Sequence, residues 1–224
     1  MLKLVIFDVD GTLIDSQAAI LAAMARAFAA VGMRPPEPTA TLSIVGLSLP
    51  EAIRTLTPDL AADRQAALVE GYKSAFVALR AEAGGEADAP FYRGAREGIA
   101  RLDAAGYLLG IATGKARRGL DYTLDAHGLR RHFVATQTAD DAPSKPHPGM
   151  VLNCLSLTGV APADAVVVGD TEYDMAMARA AGARAIGVGW GYHDRARLLS
   201  GGAERVIAGF DEVDAAVETL VGRP

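Results

Sequence analysis

Cysteine is almost missing from this 224-residue chain, with Cys154 standing alone. One thiol cannot close an intrachain disulfide, and no metal-ligand spacing surrounds it. A disulfide-stapled scaffold is therefore excluded, a reducing compartment is expected, and Cys154 is expected to fill core within a helix. Long apolar runs are missing as well: none approaches membrane-spanning length. The opening Met1-Leu2-Lys3 passes straight through Leu4-Val5-Ile6-Phe7 into Asp8, too short a run for a signal-peptide core. The expectation is no membrane partner and a cytoplasmic location. A dense block of Lys or Arg is also absent and the formal charge is −5, so nucleic acid is not the expected partner. A small anionic substrate would need local positive charge instead. There is no internal repeat and no low-complexity tract beyond alanine enrichment, which favours helix.

What is present is enough for a full-sized core, since half of the positions are apolar. Short apolar, β-rich runs occur at residues 2–7, 108–112, 165–168 and 185–188, with a weaker one at 133–136. Between them lie stretches with helical spacing at 95–105, 117–126, 150–157 and 173–181. This alternation predicts an α/β fold with a doubly wound, Rossmann-like parallel sheet. Residues 15–90 break the alternation, showing helical patterns and turn residues without a strand run. They read as an inserted α-helical domain, with a loop at 34–38, a short helix at 50–56 and a longer one at 63–80 ending at Gly84-Gly85. The predicted division is a core of residues 1–14 and 91–224 and an insert of residues 15–90.

The first strand ends in Asp8-Val9-Asp10-Gly11-Thr12-Leu13, two carboxylates at the carboxyl edge of the sheet, where open α/β folds bind ligands. One carboxylate can attack phosphorus while the second protonates the leaving oxygen and later activates water. An acidic Asp-Gly turn is the plain alternative. Thr113-Gly114 closes the run 108–112 and offers a hydroxyl and backbone amides to phosphate oxygens, or equally an N-cap. Lys145 lies in Pro143-Ser144-Lys145-Pro146-His147-Pro148, where prolines stiffen the loop and fix the ammonium; His147 can simply shape that loop. Asp170 and Asp174 follow the run 165–168 one helical turn apart. So many acids at one edge repel one another unless a cation is present, and Mg²⁺, which takes a few carboxylate oxygens together with waters and phosphate oxygens, answers that need. A capped helix start explains one of these aspartates but not all four strand ends.

In this order, the four segments resemble the signature motifs of the haloacid dehalogenase-like hydrolase superfamily, and the resemblance spans the whole chain. It implies that Asp8 is the nucleophile and Asp10 the acid/base. It implies that Val9, Asp10, Thr113, Gly114 and Lys145 hold the substrate phosphate. Asp8, the backbone carbonyl of Asp10, Asp170 and Asp174 would bind Mg²⁺, Asp174 either directly or through water. The helical insert matches that family's cap, and the Gly- and Pro-containing segments near residues 15 and 84–90 would be its hinges. The Lys145-Pro146-His147-Pro148 run and the stretch from Gly187 to Tyr192 look most like phosphoglycolate phosphatase-type members, with Val45-Gly46-Leu47-Ser48 facing the substrate or forming a plain turn. A small phosphorylated metabolite is the expected partner, in a monomer or a homodimer.

Sugar-phosphate mutase and pyrophosphatase activities of the same superfamily remain open alternatives. Mutase relatives carry a histidine soon after the first motif, whereas residues 17–24 here contain none. A dehalogenase needs neither metal nor an acid at the second motif position, a phosphonate-cleaving member needs a cap lysine, and Lys73 reads as a surface residue. A receiver-like, phosphate-accepting signalling module is the non-enzyme alternative, but receivers carry the phosphorylated Asp on a later strand and lack a large insert.

Overall fold

A computed structural model describes residues 1–82 and 89–224. The chain begins with β1 (Leu4–Phe7), then passes through four helices, α1 (Gln17–Ala30), α2 (Pro38–Leu42), α3 (Leu49–Leu56) and α4 (Ala62–Glu82). It continues as α5 (Ala95–Ala104), β2 (Leu108–Ala112), α6 (Arg117–Ala126), β3 (Ala135–Gln137), α7 (Gly149–Thr158), β4 (Ala165–Gly169) and α8 (Glu172–Ala180). The last elements are β5 (Arg184–Val188), α9 (Arg195–Gly201), β6 (Arg205–Ile207) and α10 (Val213–Val221). The strands form one wholly parallel sheet in the order β3-β2-β1-β4-β5-β6.

Alternation along the strands builds a core on each face. Val5 and Phe7 of β1, with Val166 and Val168 of β4, point to one face and pack with α5 and α10. Leu4, Ile6, Ala165 and Val167 point to the other and meet α7 and α8. Strands buried on both faces read as continuous apolar runs, which is why LVIF and AVVVG carry no polar alternation. Each such side chain contributes about 1.5–3 kcal/mol by leaving water. Cys154 is fully buried on α7 among these residues, with its Sγ against the Ile111 carbonyl.

α1, α3 and α4 bury a separate apolar cluster of Met24, Ala27, Phe28, Ile53, Leu68 and Val69. The chain enters and leaves this helical segment side by side: the amide of Asp15 donates to the Pro90 carbonyl, and that of Tyr92 to Leu13. Three features differ from the sequence reading. Pro38, read as the end of a loop, instead opens α2, because a proline at the first helical position lacks only an amide that would have no partner there. β6 is three residues long on the sheet edge, and Arg205 within it is exposed, so no apolar run announces it. α9 and α10 also went unread: α9 is only seven residues long despite its Asp194 cap, and no side-chain cap marks the start of α10. Of the candidate hinge at 84–90, residues 84–88 lie outside the described residues.

The strand order reverses between β1 and its neighbours β2 and β4, leaving a crevice beyond their carboxyl ends. That is the place where doubly wound sheets receive ligands.

Candidate active site

Asp8 leaves β1 with its amide still bonded to the Val168 carbonyl, so its side chain emerges at that crevice, yet it is only 1% exposed. The chain then turns sharply at Gly11, whose φ of +84° is the left-handed conformation open to glycine, and a Cβ there would also collide with the Asp170 carboxylate. The carbonyl of Val9 accepts the amides of Thr12, Leu13 and Ile14 and closes this turn. The amides of Val9 and Asp10 have no backbone partner among the described residues and remain able to donate to a ligand.

Asp170 follows β4 and is fully buried; Thr12 Oγ1 donates to its Oδ1 at 3.0 Å and the Tyr192 amide to its Oδ2 at 2.9 Å. Asp174 sits on the first turn of α8 in a capping box with Thr171, and its Oδ2 accepts both the amide and the hydroxyl of Thr171. The helix-cap reading of this aspartate and its membership of the acidic cluster are both realised, because the cap leaves Oδ1 for Lys145 at 2.6 Å. Lys145 Nζ also stands 2.8 Å from Asp8 Oδ1 and is only 1% exposed, so a surface lysine is excluded. This contact is an ion pair, and Asp8 Oδ1 is otherwise a buried oxygen without a hydrogen-bond donor.

These charges perturb one another. Burial pushes the Asp8 carboxyl up to about 6; Lys145 opposes that shift, and Asp174 and Asp10 add to it. Burial likewise raises Asp170 well above the usual carboxylate range, helped by Asp8 and Asp174. For Lys145 burial acts downward, but Asp174 and Asp8 outweigh it and hold the ammonium above the ordinary lysine value. Asp8, Asp170 and Asp174 each bring one oxygen within 4.8 Å of the others. Three buried carboxylates against one ammonium, with one oxygen lacking a donor, form an all-oxygen set that fits a hard divalent cation.

Thr113 is buried at the end of β2, bonded through its amide to the Gln137 carbonyl. It does not cap α6, whose N-cap is Ala116; its Oγ1 instead accepts the Lys115 amide at 3.3 Å. A Cβ on Gly114 would lie 2.5 Å from the Gly46 carbonyl oxygen and 2.6 Å from that of Leu47, so the helical segment presses its backbone onto this strand end. The same loop is tied down elsewhere: Ser144 Oγ accepts the Ser48 amide at 2.8 Å, while Tyr173 Oη and His193 Nε2 lie 3.2 and 3.0 Å from the Ser43 carbonyl. Residues 43–48 thus cover the crevice. A groove of about 470 Å³ remains beside them, lined by residues including Leu47, Ser144, Lys145, His147 and Tyr173. His147 shapes the loop, its Nδ1 accepting the Gly149 amide.

The sequence reading missed Lys115, whose Nζ lies 2.8 Å from both carboxylate oxygens of Asp10. It follows Thr113-Gly114 directly, but nothing in the local pattern distinguishes it from a surface lysine. It also missed the support from the β5 end, where Trp190 Nε1 donates to the Thr12 carbonyl and Tyr192 Oη meets Ser16 Oγ at 3.1 Å. Lys73 is exposed and pairs with Glu70, as expected of a surface lysine.

With this geometry in place, similarity to known proteins is informative. Residues 5–188 match the family model described as "Haloacid dehalogenase-like hydrolase". The chain is 35% identical to the "Probable phosphatase IndB" of Dickeya dadantii over 223 residues, 99% of this chain and 96% of that one. It is 34% identical to a phosphoglycolate phosphatase of Chromobacterium violaceum, covering 88% and 89% of the two chains. Its fold superposes on the crystal structure of a hydrolase from Pseudomonas syringae with a TM-score of 0.85 at 25% identity, across 97% of this chain and 99% of the other.

Proposed function

We propose, from the premise that this chain belongs to the haloacid dehalogenase-like hydrolase family and is a phosphatase, that it hydrolyses a small phosphomonoester of the phosphoglycolate type with Mg²⁺ through an aspartyl phosphate on Asp8. The observation that carries this reading is the different company kept by the two carboxylates of the first motif. Asp8 lies in the buried cluster with Lys145, Asp170 and Asp174, whereas Asp10 faces the helical segment and pairs with Lys115. A nucleophile belongs among charges that hold phosphoryl oxygens, and a proton donor belongs beside the leaving group.

In this mechanism Asp8 attacks phosphorus in line while Asp10 delivers a proton to the ester oxygen. Lys145, the Thr113 hydroxyl and the amides of Val9, Asp10 and Gly114 hold the phosphoryl oxygens. With its carboxyl pushed up to about 6, Asp8 is mostly ionised at neutral pH and able to attack. Asp10, ionised by that first step, then takes a proton from water, which hydrolyses the aspartyl phosphate. Asp8, Asp170, Asp174 and the Asp10 carbonyl would hold Mg²⁺, which supplies positive charge against the transferring phosphoryl group. Asp174 has a second task in either case, which is to orient Lys145.

Residues 15–90 act as a cap in this reading. The 43–48 loop excludes water from the crevice, and the cap lies against the leaving group and selects it. The phosphoglycolate phosphatase of Chromobacterium violaceum supports a phosphoglycolate-like substrate, and the covered crevice supports a small one.

The test is phosphate release from a panel of phosphomonoesters, phosphoglycolate and pyrophosphate included, with Mg²⁺ or chelator and with Asp8→Asn alongside. Release is expected to need both Mg²⁺ and Asp8, with Asp8→Asn slower by roughly 10³-fold or more, since losing a nucleophile disables the whole unit. Activity of Asp8→Asn near that of the wild type would refute the scheme.

A further inference from the structure

Three core side chains fasten the 43–48 loop, and two of them meet on one atom. The Ser43 carbonyl closes α2 and accepts no backbone amide among the described residues. It receives instead the Tyr173 hydroxyl at 3.2 Å and His193 Nε2 at 3.0 Å. The His193 ring is set for this: its Nδ1 accepts the Glu172 amide at 3.1 Å, which leaves the ring hydrogen on Nε2 to donate. The Tyr173 and His193 rings also meet edge to face, with centroids 5.4 Å apart. A few residues along the loop, the Ser48 amide donates to Ser144 Oγ at 2.8 Å.

Neither Tyr173 nor His193 belongs to the cluster that carries the chemistry, yet both are anchored to its backbone. Tyr173 stands on the first turn of α8 between Asp170 and Asp174, and the His193 amide donates to the Asp170 carbonyl. Their side chains reach the cap instead. What the loop covers is shut: Asp8, Thr113, Lys145, Asp170 and Asp174 are each at most 1% exposed. Where water scarcely reaches, a phosphate has no way in while the loop is docked.

Protein groups alone make these docking contacts. We infer that Tyr173 and His193 are positioning residues for the proposed reaction: through the Ser43 carbonyl they hold the 43–48 loop down, and this latch must break before a phosphoryl group can enter. The inference rests on the reading of residues 15–90 as a cap over a phosphoryl site. A carbonyl at a helix end is satisfied by water once it lifts, so the latch is reversible. Each of its hydrogen bonds shifts the balance between docked and lifted loop by about 2- to 10-fold. Entry that needs a prior opening is slowed in proportion to the lifted fraction.

The experiment is NMR on the full chain as wild type, Tyr173→Phe, His193→Asn, His193→Gln and the double variant Tyr173→Phe/His193→Asn. Hydrogen exchange of the Ser48 amide reports lifting, because its partner Ser144 lies on the core, while the Ile6 and Val167 amides in the central strands report global stability. Entry is read as the association rate of inorganic phosphate, with Mg²⁺, from exchange broadening in the same spectra. Tyr173→Phe and His193→Asn are each expected to speed Ser48 exchange by about 2- to 10-fold with the sheet amides unchanged. The double variant should exceed either, since only it leaves the carbonyl without a side-chain donor. His193→Gln, whose side-chain amide places a donor where Nε2 stood, should stay near wild type. Phosphate association should rise in step with Ser48 exchange. Unchanged Ser48 exchange in the double variant overturns the inference, as does exchange that rises equally at Ser48 and in the sheet, which is a general loss of stability. So does phosphate association that stays constant while Ser48 exchange rises. Failure of the phosphatase reading looks different: phosphoglycolate is not hydrolysed with Mg²⁺, or Asp8→Asn stays active, whatever the Ser48 amide does.

Discussion

Replacing Lys145 with methionine is the perturbation that tests the acidic cluster most directly. The methionine is nearly the same length, so packing loss is small, about 1 kcal/mol. What changes is charge: Lys145 lies 2.8 Å from Asp8 and 2.6 Å from Asp174, and its removal leaves Asp8, Asp170 and Asp174 buried together without a cation. Breaking a buried ion pair by deleting one partner costs about 3–5 kcal/mol, mostly the penalty of the charge left behind. In a chain of this size each kcal/mol moves Tm by about 2–4 °C, so Lys145→Met is expected to melt roughly 6–20 °C lower without divalent cation. Mg²⁺ should then recover part of the loss, because the stripped cluster attracts it more strongly than the wild-type cluster does. At one hundred times Kd, a bound ion adds about 2.7 kcal/mol to stability. The assay is a thermal melt of both proteins in chelator and in millimolar Mg²⁺, and it needs no substrate. A variant melting within about 2 °C of wild type, with no larger response to Mg²⁺, would refute the argument that these carboxylates share a cation-demanding site.

Two further outcomes follow from the loop that covers the crevice. Gly114→Ala would place a Cβ 2.5 Å from the Gly46 oxygen and 2.6 Å from the Leu47 oxygen, pushing the 43–48 loop away by about 1 Å, and a misplacement of that size costs about 100-fold in kcat/KM; kinetics within about twofold of wild type would show that loop contact does not matter to the chemistry. His193 accepts the Glu172 amide at Nδ1 while its Nε2 meets the Ser43 carbonyl, and burial followed by Arg197 lowers its pKa below 6.5. Because the folded value is depressed, its share of stability is fully present above pH 6.5 and is lost as pH falls below that, where the unfolded chain takes a proton that the folded one refuses. Tm should therefore drop more between pH 7.5 and 5.5 in the wild type than in His193→Gln, and parallel curves would count against this assignment.

Much of the architecture is legible in the sequence because buried parallel strands leave a simple trace. LVIF, LLGIA and AVVVG are apolar runs of strand length, and helical periods fill the gaps between them. The elements that went unread are those held by contacts rather than pattern: β6 exists because it pairs with β5, and α10 because it covers the sheet beneath Val217 and Val221. In the candidate site, Asp8, Asp10, Thr113, Asp170 and Asp174 could be picked out because each ends or follows a strand run, and Lys145 because prolines stiffen the loop that carries it. Lys115, Tyr192 and His193 could not, since their partners Asp10, Ser16 and Ser43 lie 105, 176 and 150 residues away in sequence.

Local chemistry, then, determined which residues form strands and helices, and period-2 and period-3.6 burial reports that directly. Only the folded chain decided which charge pairs with which. Lys115 closely follows β2, and Lys145 is marked by the prolines around it, yet nothing in either neighbourhood predicts that one is buried between Asp8 and Asp174 while the other is held by Asp10. Pairing depends on distances of a few ångströms across strands remote in sequence and on the loss of water between them, and both come into being only when the sheet and its helical insert close on one another.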